Sequence, residues 1–472
     1  MIALTLAEIQ QIVGGTLALA SETSGATIVD GSVETDSRLV TAGSIFFALP
    51  GEVTDGRLFV TSAVENGAAL VISEGPVACA APLLVVDDGV TALADLARAV
   101  VARVRESASG DDRLRVVGIT GSNGKTSTKN MLRAILSDLA PTVAPEGSFN
   151  NHVGAPISML RATGATKYLV VEMGASGSGE IARLVAIAKP DTGVVLKVGL
   201  AHAGEFGGIE ATQRAKSEMV TDLPETATAI LNADDFRVSS MADLTDARVV
   251  TFGLGAGTSY RASDVDVTAS GTAFVLHAPG LTRPVHLRIL GEHHVMNALA
   301  ALAVAGEWGL DVDRAATVLE GVARAERWRM EVLDGGPGVT IINDAYNASP
   351  DSVAAALKTL AQIVGPGQRS VAVIGEMAEL GEFAQEEHDR IGRLAVRLNI
   401  HRLVVVGDAA RHVHMAAGLE GSWSGESLLV PDIDAAYDAV RADLREGDVV
   451  LVKSSKSAGL RFLGDRLAGV TA

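Results

Sequence analysis

In the middle of the chain, short apolar runs alternate with segments of helical periodicity, and this alternation constrains the fold more than any other feature. The runs RVVGIT, YLVVEM, TGVVLKV and ATAILNADD are separated by helices expected from Thr126, Gly179 and Ile209. Such alternation predicts a parallel sheet with helices on both faces. A glycine- and threonine-rich stretch near 250–290 interrupts the pattern and predicts added antiparallel strands, followed by a helix over 294–309.

A second alternating set begins after ERWRMEV. The runs VTIIND, SVAVIGE, RLVVVGD and DVVLVKS are separated by helices expected after Pro350, over 385–398 and over 434–444. The first part of the chain mixes short strands with helices such as Ala92–Val104. The chain has 472 residues, and a typical domain size of about 150 residues suggests roughly three domains. We therefore predict a three-domain α/β protein. Its parts are a small α/β N-terminal domain over 1–110, a central P-loop-like parallel-sheet domain with added antiparallel strands over 111–326, and a C-terminal Rossmann-like α/β domain over 327–472.

Composition limits what the protein can bind. The formal net charge of -18 argues against a nucleic-acid-binding surface, so any anionic substrate must be held by local groups. The single cysteine, Cys79, excludes an internal disulfide and fits a reducing compartment. Thr5 and Glu8 form a capping-box pattern in place of a basic leader, and no apolar stretch approaches the ~18 residues of a membrane span. We expect a soluble, cytoplasmic monomer.

The residues GSNGKTS after RVVGIT are typical of a phosphate-binding loop, but their glycines are spaced unusually. The ordinary motif G-x-x-x-x-G-K-[ST] would place a glycine at Ile119. Gly118 and Gly121 still allow a tight turn whose N–H groups, with the helix dipole, can hold phosphate oxygens. Lys125 would reach the β- and γ-phosphates, and the Thr126 hydroxyl would bind Mg²⁺. The alternative, a glycine turn before an exposed lysine, is disfavoured by the strand–loop–helix context.

Polar residues also follow two other predicted strands. Glu172 ends YLVVEM, and His202 follows GVVLKVGLAH. Ligands of open α/β sheets bind outside the carboxyl ends of strands, so a shared edge with Thr126 favours a metal site. For each residue a helix cap or an ordinary satisfied polar group is the alternative, and histidine is an unusual Mg²⁺ ligand. Lys216 would by default be a solvated helix lysine.

Several motifs together resemble those of the Mur ligase family. ITGSNGKTST matches the family's ATP-loop signature T-G-x-N-G-K-T, which explains the unusual glycine spacing. The resemblance continues through EGSFNNHVGAP, VEMGAS, GLAH, AKSEM, LNADD, GEHHVMNALAALA, INDAYNASPDS, GEMAELG and VKSSKS. Among family members, DAYNASPDS and GEMAELG resemble the one that joins D-alanyl-D-alanine to UDP-MurNAc-tripeptide. The YAHTPD-like stretch and the D-N-P-R motif of the ligase that adds the third amino acid are not present in the sequence.

The resemblance implies an ATP-dependent amide ligase that activates a substrate carboxylate as an acyl phosphate and supplies UDP-MurNAc-pentapeptide for peptidoglycan. Two alternatives within this class are another Mur ligase and a folylpolyglutamate synthase-like enzyme. From a different class, a non-catalytic nucleotide-binding regulator is disfavoured, because it would need no second metal site. The third peptide residue is either lysine or meso-diaminopimelate.

By the same resemblance, residues of the loop and of the later parts of the chain would hold the nucleotide: Thr120, Gly121, Ser122, Asn123, Gly124, Lys125, Thr126, Ser127, Asn297, Arg329 and Asp344. The residues implied to bind two Mg²⁺ ions are Thr126, Glu172, His202 and Lys216. The catalytic group implied is Lys125, Lys216, His202 and Glu172. The matching family lysine reacts with CO₂ to form a carbamate, which at Lys216 would turn a cation into an oxygen ligand. An unmodified lysine facing the phosphates is the alternative.

The resemblance also assigns the other substrates, with the N-terminal domain binding the UDP part. The implied contacts to the UDP-sugar-peptide are Ser37, Arg38, Ser148, Asn150, Asn151 and His152. The implied contacts to the dipeptide are Tyr346, Asn347 and Ser349. Three positions depart from the family pattern: Ser349 replaces a usual asparagine, while Trp328 and Ser454 replace usual glycines.

Overall fold

The computed structural model describes residues 1–21, 23–51, 54–145, 147–200, 204, 207–324 and 326–470. Within these ranges the strands form sheets of two, five, nine and six strands. The three larger sheets follow one another along the chain, and the protein therefore has the predicted three-domain α/β architecture. The boundaries at 110 and 326 remain our proposal. None of the helices in the described ranges combines the length and the apolar character that crossing a bilayer requires.

The N-terminal sheet has the order β2-β7-β6-β5-β4, and β1 pairs separately with β3. Thr5 and Glu8 form the expected capping box at the start of α1. The helix predicted over Ala92–Val104 is confirmed and is longer at both ends. The elements are β1 (Leu4–Thr5), α1 (Leu6–Val13), β2 (Thr16–Ala18), β3 (Ile28–Val29), β4 (Val33–Glu34), β5 (Ile45–Ala48), α2 (Val60–Glu65), β6 (Leu70–Ser73), β7 (Leu83–Val85) and α3 (Gly89–Glu106).

The central sheet has the order β16-β15-β14-β13-β12-β11-β8-β10-β9. Along this order, the pairs from β9 to β14 are parallel. The pairs β14–β15 and β15–β16 are antiparallel, which confirms the added antiparallel strands. The elements are β8 (Arg115–Thr120), α4 (Lys125–Ser137), β9 (Thr142–Val143), α5 (Gly154–Met159), β10 (Tyr168–Glu172), α6 (Glu180–Ala188), β11 (Thr192–Val195), α7 (Ile209–Thr221), β12 (Thr228–Asn232), α8 (Phe236–Ser239), β13 (Arg248–Gly253), β14 (Tyr260–Thr268), β15 (Gly271–Ala278), β16 (Leu281–Leu287), α9 (Glu292–Glu307) and α10 (Val312–Glu320).

The C-terminal sheet has the order β17-β18-β22-β19-β20-β21 and is parallel except for β17. The elements are β17 (Glu331–Asp334), β18 (Thr340–Asn343), α11 (Pro350–Ile363), β19 (Arg369–Ile374), α12 (Ala384–Arg397), β20 (Arg402–Val406), α13 (Arg411–Leu419), β21 (Glu426–Val430), α14 (Ile433–Asp443), β22 (Asp448–Lys453) and α15 (Leu460–Leu467).

Strand order places the loop between β8 and α4 at the centre of the molecule. Because β8 lies between β10 and β11, the loop faces the carboxyl ends of both neighbours. The interior of this sheet is apolar, with β8, β10 and β11 largely buried, so polar residues at the strand ends mark the edge where a ligand can bind.

Candidate active site

The loop after β8 needs glycine at two positions. Gly124 has φ +88°, and a side chain there would collide with Asn297 Oδ1. Gly121 has φ +152°, and a Cβ atom there would lie 2.9 Å from Leu196 Cβ. The chain can therefore turn tightly into α4 without the glycine that an ordinary phosphate loop carries at position 119.

This loop borders a cavity of about 390 Å³ between the central and C-terminal domains. Most of the residues assigned to the nucleotide and the dipeptide line it, together with some of those assigned to the metal and the UDP-linked substrate: Ser122, Asn123, Gly124, Lys125, Thr126, Ser127, Ser148, Asn150, Glu172, Asn297, Arg329, Asp344, Tyr346, Asn347 and Ser349. The structure thus brings together side chains more than 200 positions apart in the sequence, as the family resemblance implied.

Lys125 begins α4 and extends back over the loop. Its Nζ donates to Gly121 O at 2.8 Å. Burial lowers the pKa of Lys125, while the nearby Glu172 carboxylate opposes that shift. The ammonium is therefore held where an incoming phosphate oxygen could replace the carbonyl as its partner.

Glu172 ends β10 and is almost completely buried, with a side chain only 1% exposed. Its Oε1 accepts from Thr126 Oγ1 at 3.2 Å and from Asn150 Nδ2 at 2.8 Å. Oε2 has no hydrogen-bond partner among the described residues. A buried carboxylate oxygen without a partner is costly unless a cation neutralises it, and a hydroxyl beside a carboxylate suits Mg²⁺. The donor set therefore fits the implied metal.

No cluster of three or more His, Cys, Asp or Glu side chains able to hold a metal occurs within the described ranges. His202, which the resemblance adds to the site, lies outside the described residues. Its neighbour Gly204 donates its N–H to Glu379 O at 3.1 Å. Gly204, two positions after His202, therefore contacts the GEMAELG segment of the C-terminal domain.

Side-chain hydrogen bonds join the two domains across the cavity. Arg329 Nη2 donates to Thr126 Oγ1 at 3.2 Å. The hydroxyls of Tyr346 and Ser148 lie 2.6 Å apart. Ser349, which caps α11, also donates to Asn123 Oδ1 at 3.0 Å. Ser349, which replaces the usual asparagine of the family, therefore contacts the phosphate loop directly.

Asp344 is fixed by an ion pair with Lys453, the last residue of β22. Lys453 Nζ donates to Asp344 Oδ2 at 2.6 Å and to Asn347 O at 3.0 Å. Asp344 Oδ1 accepts from Met330 N at 3.0 Å. These bonds position the loop that carries Asn347 and Tyr346.

Trp328 adopts φ +58°, the left-handed conformation that favours glycine, which accounts for the usual family residue there. Its N–H donates to Glu331 Oε2 at 2.9 Å, and its indole Nε1 donates to Asp465 Oδ2 at 3.0 Å. Hydrogen bonds therefore hold both the backbone and the indole ring of Trp328. Met330 also has a positive φ, +48°, so Arg329 lies between two such residues.

Lys216 lies on α7 and is only 2% exposed, unlike a solvated helix lysine. Burial and the charge of Lys125 lower its pKa to about 7, against a smaller opposing effect of Glu218. In a substantial fraction of the molecules, the Lys216 side chain is therefore uncharged at neutral pH. Lys216 does not line the cavity.

Several other assigned residues also lie away from this cavity. Thr120 is fully buried at the end of β8, and His152 is exposed. Asn151 accepts from the N–H of Gly154 at 2.8 Å and so caps α5. In the N-terminal domain, Ser37 is buried and Arg38 pairs with Asp36 at 2.6 Å.

The cavity has further lining residues to which sequence reasoning gave no role: Lys197, His293, His294, Asp351, Ser352, Ala355, Glu379, Lys453 and Lys456. Most of them stand inside quoted motifs, so their signal was present. Asp351 and Lys197 form an ion pair at 3.5 Å. This ion pair is a further link between the two domains.

A second, more open cavity of about 680 Å³ adjoins the first and shares Asn123, Gly124, Asn297 and three further residues with it. Its other walls are mainly apolar and aromatic, including Leu196, Ile209, Phe236, Phe252, Leu254 and Met296. A polar cavity at the loop thus continues into an apolar one.

Three segments of the chain match models of known protein domains. Residues 119–305 match the Mur ligase middle domain, residues 328–456 the Mur ligase glutamate ligase domain, and residues 31–101 the catalytic domain of the Mur ligase family. The chain belongs to the Mur ligase family.

Two characterised relatives match along nearly their whole length. The UDP-N-acetylmuramoyl-tripeptide–D-alanyl-D-alanine ligase of Mycobacterium tuberculosis is 45% identical, over 99% of this chain and 98% of that protein. The Escherichia coli ligase of the same name is 33% identical, over 98% and 97% of the two chains.

Solved structures show the same relationship. MurF from Acinetobacter baumannii superposes with a TM-score of 0.87 at 29% identity, covering 99% of both chains. MurF from Thermotoga maritima, solved in complex with ADP, gives 0.80 at 27% identity, covering 93% of this chain and 97% of that one.

Proposed function

We propose that this protein is the ATP-dependent ligase that adds D-alanyl-D-alanine to UDP-MurNAc-tripeptide and so forms the UDP-MurNAc-pentapeptide for peptidoglycan synthesis. The observation that carries the proposal is the convergence of Lys125, Glu172, Arg329 and Tyr346 on one cavity in a chain similar throughout to ligases of that name. A monomer in the cytoplasm remains our working proposal.

ATP would bind with its phosphates on the loop and its base in the apolar second cavity. The first N–H groups of α4 and the Lys125 ammonium would hold the phosphate oxygens. Arg329 and Asp344 would approach from the C-terminal domain. Asn297 lines both cavities, which suits a contact on the base side.

Mg²⁺ would be held by Thr126 and Glu172, with His202 and Lys216 as the proposed ligands of a second ion. The ions would neutralise negative charge that gathers on the transferred phosphoryl group. The protein's own contribution is to keep Glu172 buried. Asn150 and Thr126 donate to one carboxylate oxygen, and the other oxygen accepts no hydrogen bond among the described residues.

We further propose that Lys216 carries a carbamate. The uncharged amine attacks CO₂, an N–C bond forms, and one proton leaves the nitrogen to solvent, giving an anionic oxygen ligand. The pKa of about 7 favours this reaction because only the unprotonated amine is nucleophilic.

The tripeptide carboxylate would attack the γ-phosphorus of ATP, so that a carboxylate–phosphorus bond forms and ADP leaves. Ser148 and Asn150 lie beside Glu172 and Tyr346 in the cavity, a position suited to orienting that carboxylate. The domain contacts would exclude water from the acyl phosphate.

The dipeptide amine would then attack the acyl carbon, and phosphate would leave as the amide bond forms. Tyr346, Asn347 and Ser349 are the proposed dipeptide contacts. Ser37, Arg38, Asn151 and His152 lie outside this cavity and would bind the distant UDP-sugar portion. The chemistry at the cavity is the same whether the third peptide residue is lysine or meso-diaminopimelate.

The proposed reaction is tested by its substrate requirement. Purified protein with Mg·ATP and UDP-MurNAc-tripeptide should release phosphate rapidly only when D-Ala-D-Ala is added, because the acyl phosphate needs an acceptor amine. Coupled phosphate detection measures the rate, and mass spectrometry identifies the product. Comparable turnover of UDP-MurNAc-dipeptide with lysine or diaminopimelate would instead identify the ligase that adds the third residue.

Carbamate formation predicts a dependence on dissolved CO₂. Below pH 7 the Lys216 ammonium predominates, so the carbamate is lost as pH falls through the pKa of about 7. We expect CO₂-free buffer to lower activity more at pH 6 than at pH 8, and bicarbonate to restore it. Rates that do not change with CO₂ at either pH would contradict the carbamate on Lys216.

A further inference from the structure

Beyond the residues already assigned, we propose that Lys129 is a positioning residue that holds segment 147–153 against the phosphate loop and so sets the affinity for the UDP-linked peptide. This inference rests on the proposed function for the identity of that substrate. Lys129 lies one helical turn after Lys125 on α4, on the same helix face.

Lys129 is a buried cation with few partners. Its side chain is 0% exposed, and its Nζ lies 4.0 Å from Glu172 Oε2. Nζ donates to Gly147 O at 2.5 Å, and no other hydrogen bond of this ammonium occurs among the described residues. An ammonium has three donors, and its burial is unfavourable unless neighbouring groups compensate for the lost hydration. The Gly147 carbonyl is therefore a principal contact of this charge.

Gly147 begins the segment that carries the proposed carboxylate-binding residues. The next residue, Ser148, contacts Tyr346 at 2.6 Å, and Asn150 donates to Glu172 at 2.8 Å. Gly147 itself has φ +59°, with open space where a side chain would stand. The segment thus depends on few packing contacts at its start, and the charge-assisted bond from Lys129 fixes it there.

Lys129 also differs from the groups that hold the nucleotide. It does not line either cavity, so it cannot touch ATP or the peptide directly. Its effect passes through Gly147 to the substrate-facing residues of the segment. Loss of its ammonium should therefore weaken the UDP-peptide site and leave the Lys125 loop intact.

Replacement Lys129→Met tests this, since methionine keeps the apolar stem and removes the ammonium. We expect the KM for UDP-MurNAc-tripeptide to rise about tenfold or more, the size associated with a hydrogen bond to a charged group. The KM for ATP should stay within about threefold. Hydrogen exchange should quicken in segment 147–153 and remain unchanged in the loop at 121–126.

Arg133→Met is the matched control, because it removes a charge from the exposed face of the same helix; it should change neither KM. Lys129→Arg, which keeps a cation and donors, should recover part of the affinity. If Lys129→Met does not fold, Lys129→Gln is measured instead. We again expect a higher KM for UDP-MurNAc-tripeptide and a nearly unchanged KM for ATP. Equal losses for both substrates, or lower thermal stability with unchanged KM values, would overturn the positioning role. Wild-type protein inactive with D-Ala-D-Ala would refute the proposed function instead, while the exchange measurement would still test Lys129.

Discussion

Lys216→Ala is expected to lower turnover by about two to three orders of magnitude, the range seen when one charge-stabilising group is removed from a reaction centre. ATP binding should survive, because the loop from Gly121 to Thr126 does not depend on this side chain. Steady-state phosphate release measures the first effect, and calorimetric ATP titration measures the second.

Chemical rescue of Lys216→Ala distinguishes a carbamate at Lys216 from an unmodified, cationic lysine. A lost carbamate leaves room and a need for anionic oxygens, so acetate or formate should restore part of the activity. A lost ammonium would instead respond to small amines. Lys125→Ala is the paired control, since its missing group is cationic and acids should not help it. Rescue of Lys216→Ala by amines alone would exclude the carbamate from the mechanism.

Glu172→Gln is expected to reduce phosphate release by a similar factor, about 100- to 1000-fold. The substitution keeps the shape of the side chain but replaces the carboxylate, whose Oε2 accepts no hydrogen bond among the described residues, with a neutral amide. The Mg²⁺ concentration for half-maximal activity should rise as well, because a hard cation loses an anionic ligand. Rates measured across a Mg²⁺ series test both effects.

The control for this variant is Glu225→Gln, which removes a carboxylate from an exposed position of the same domain and should leave activity and Mg²⁺ dependence unchanged. Thermal denaturation of both proteins reports on folding. A Glu172→Gln enzyme with normal rates at low Mg²⁺ would show that this carboxylate does not hold the metal.

Much of the fold could be predicted because its signals are local. Apolar runs such as RVVGIT and DVVLVKS become β8 and β22, since a strand buried on both faces needs an uninterrupted apolar sequence. The edge strand β21 was missed because ESLLV is half-exposed and its pattern is weak. Helix α13 was missed for a related reason, because a short amphipathic stretch beside an edge carries little periodic signal.

The site could be predicted only in part. Proximity of Thr126 and Glu172 followed from strand order, because the carboxyl ends of adjacent parallel strands meet at one edge. Lys129 could not be found in this way. A lysine on an amphipathic helix is normally solvated, and only the folded structure shows that the Lys129 ammonium is buried against Gly147 O and Glu172. The lowered pKa of Lys216 likewise depends on its burial in the folded protein and on the charge of Lys125, which lies 91 positions earlier in the chain.

The sheet order of the C-terminal domain has a consequence for how the protein is made. Strand β22 follows the other five strands of its sheet in sequence, yet it pairs with β18 on one side and β19 on the other. During synthesis on the ribosome, domains fold as their chain emerges, but this sheet has a gap at its centre until β22 is translated. Lys453, which ends that strand, then supplies the ion pair that fixes Asp344. A nascent chain can therefore complete the phosphate loop long before it gains a working cleft, and ligase activity should appear only after translation has passed Lys453.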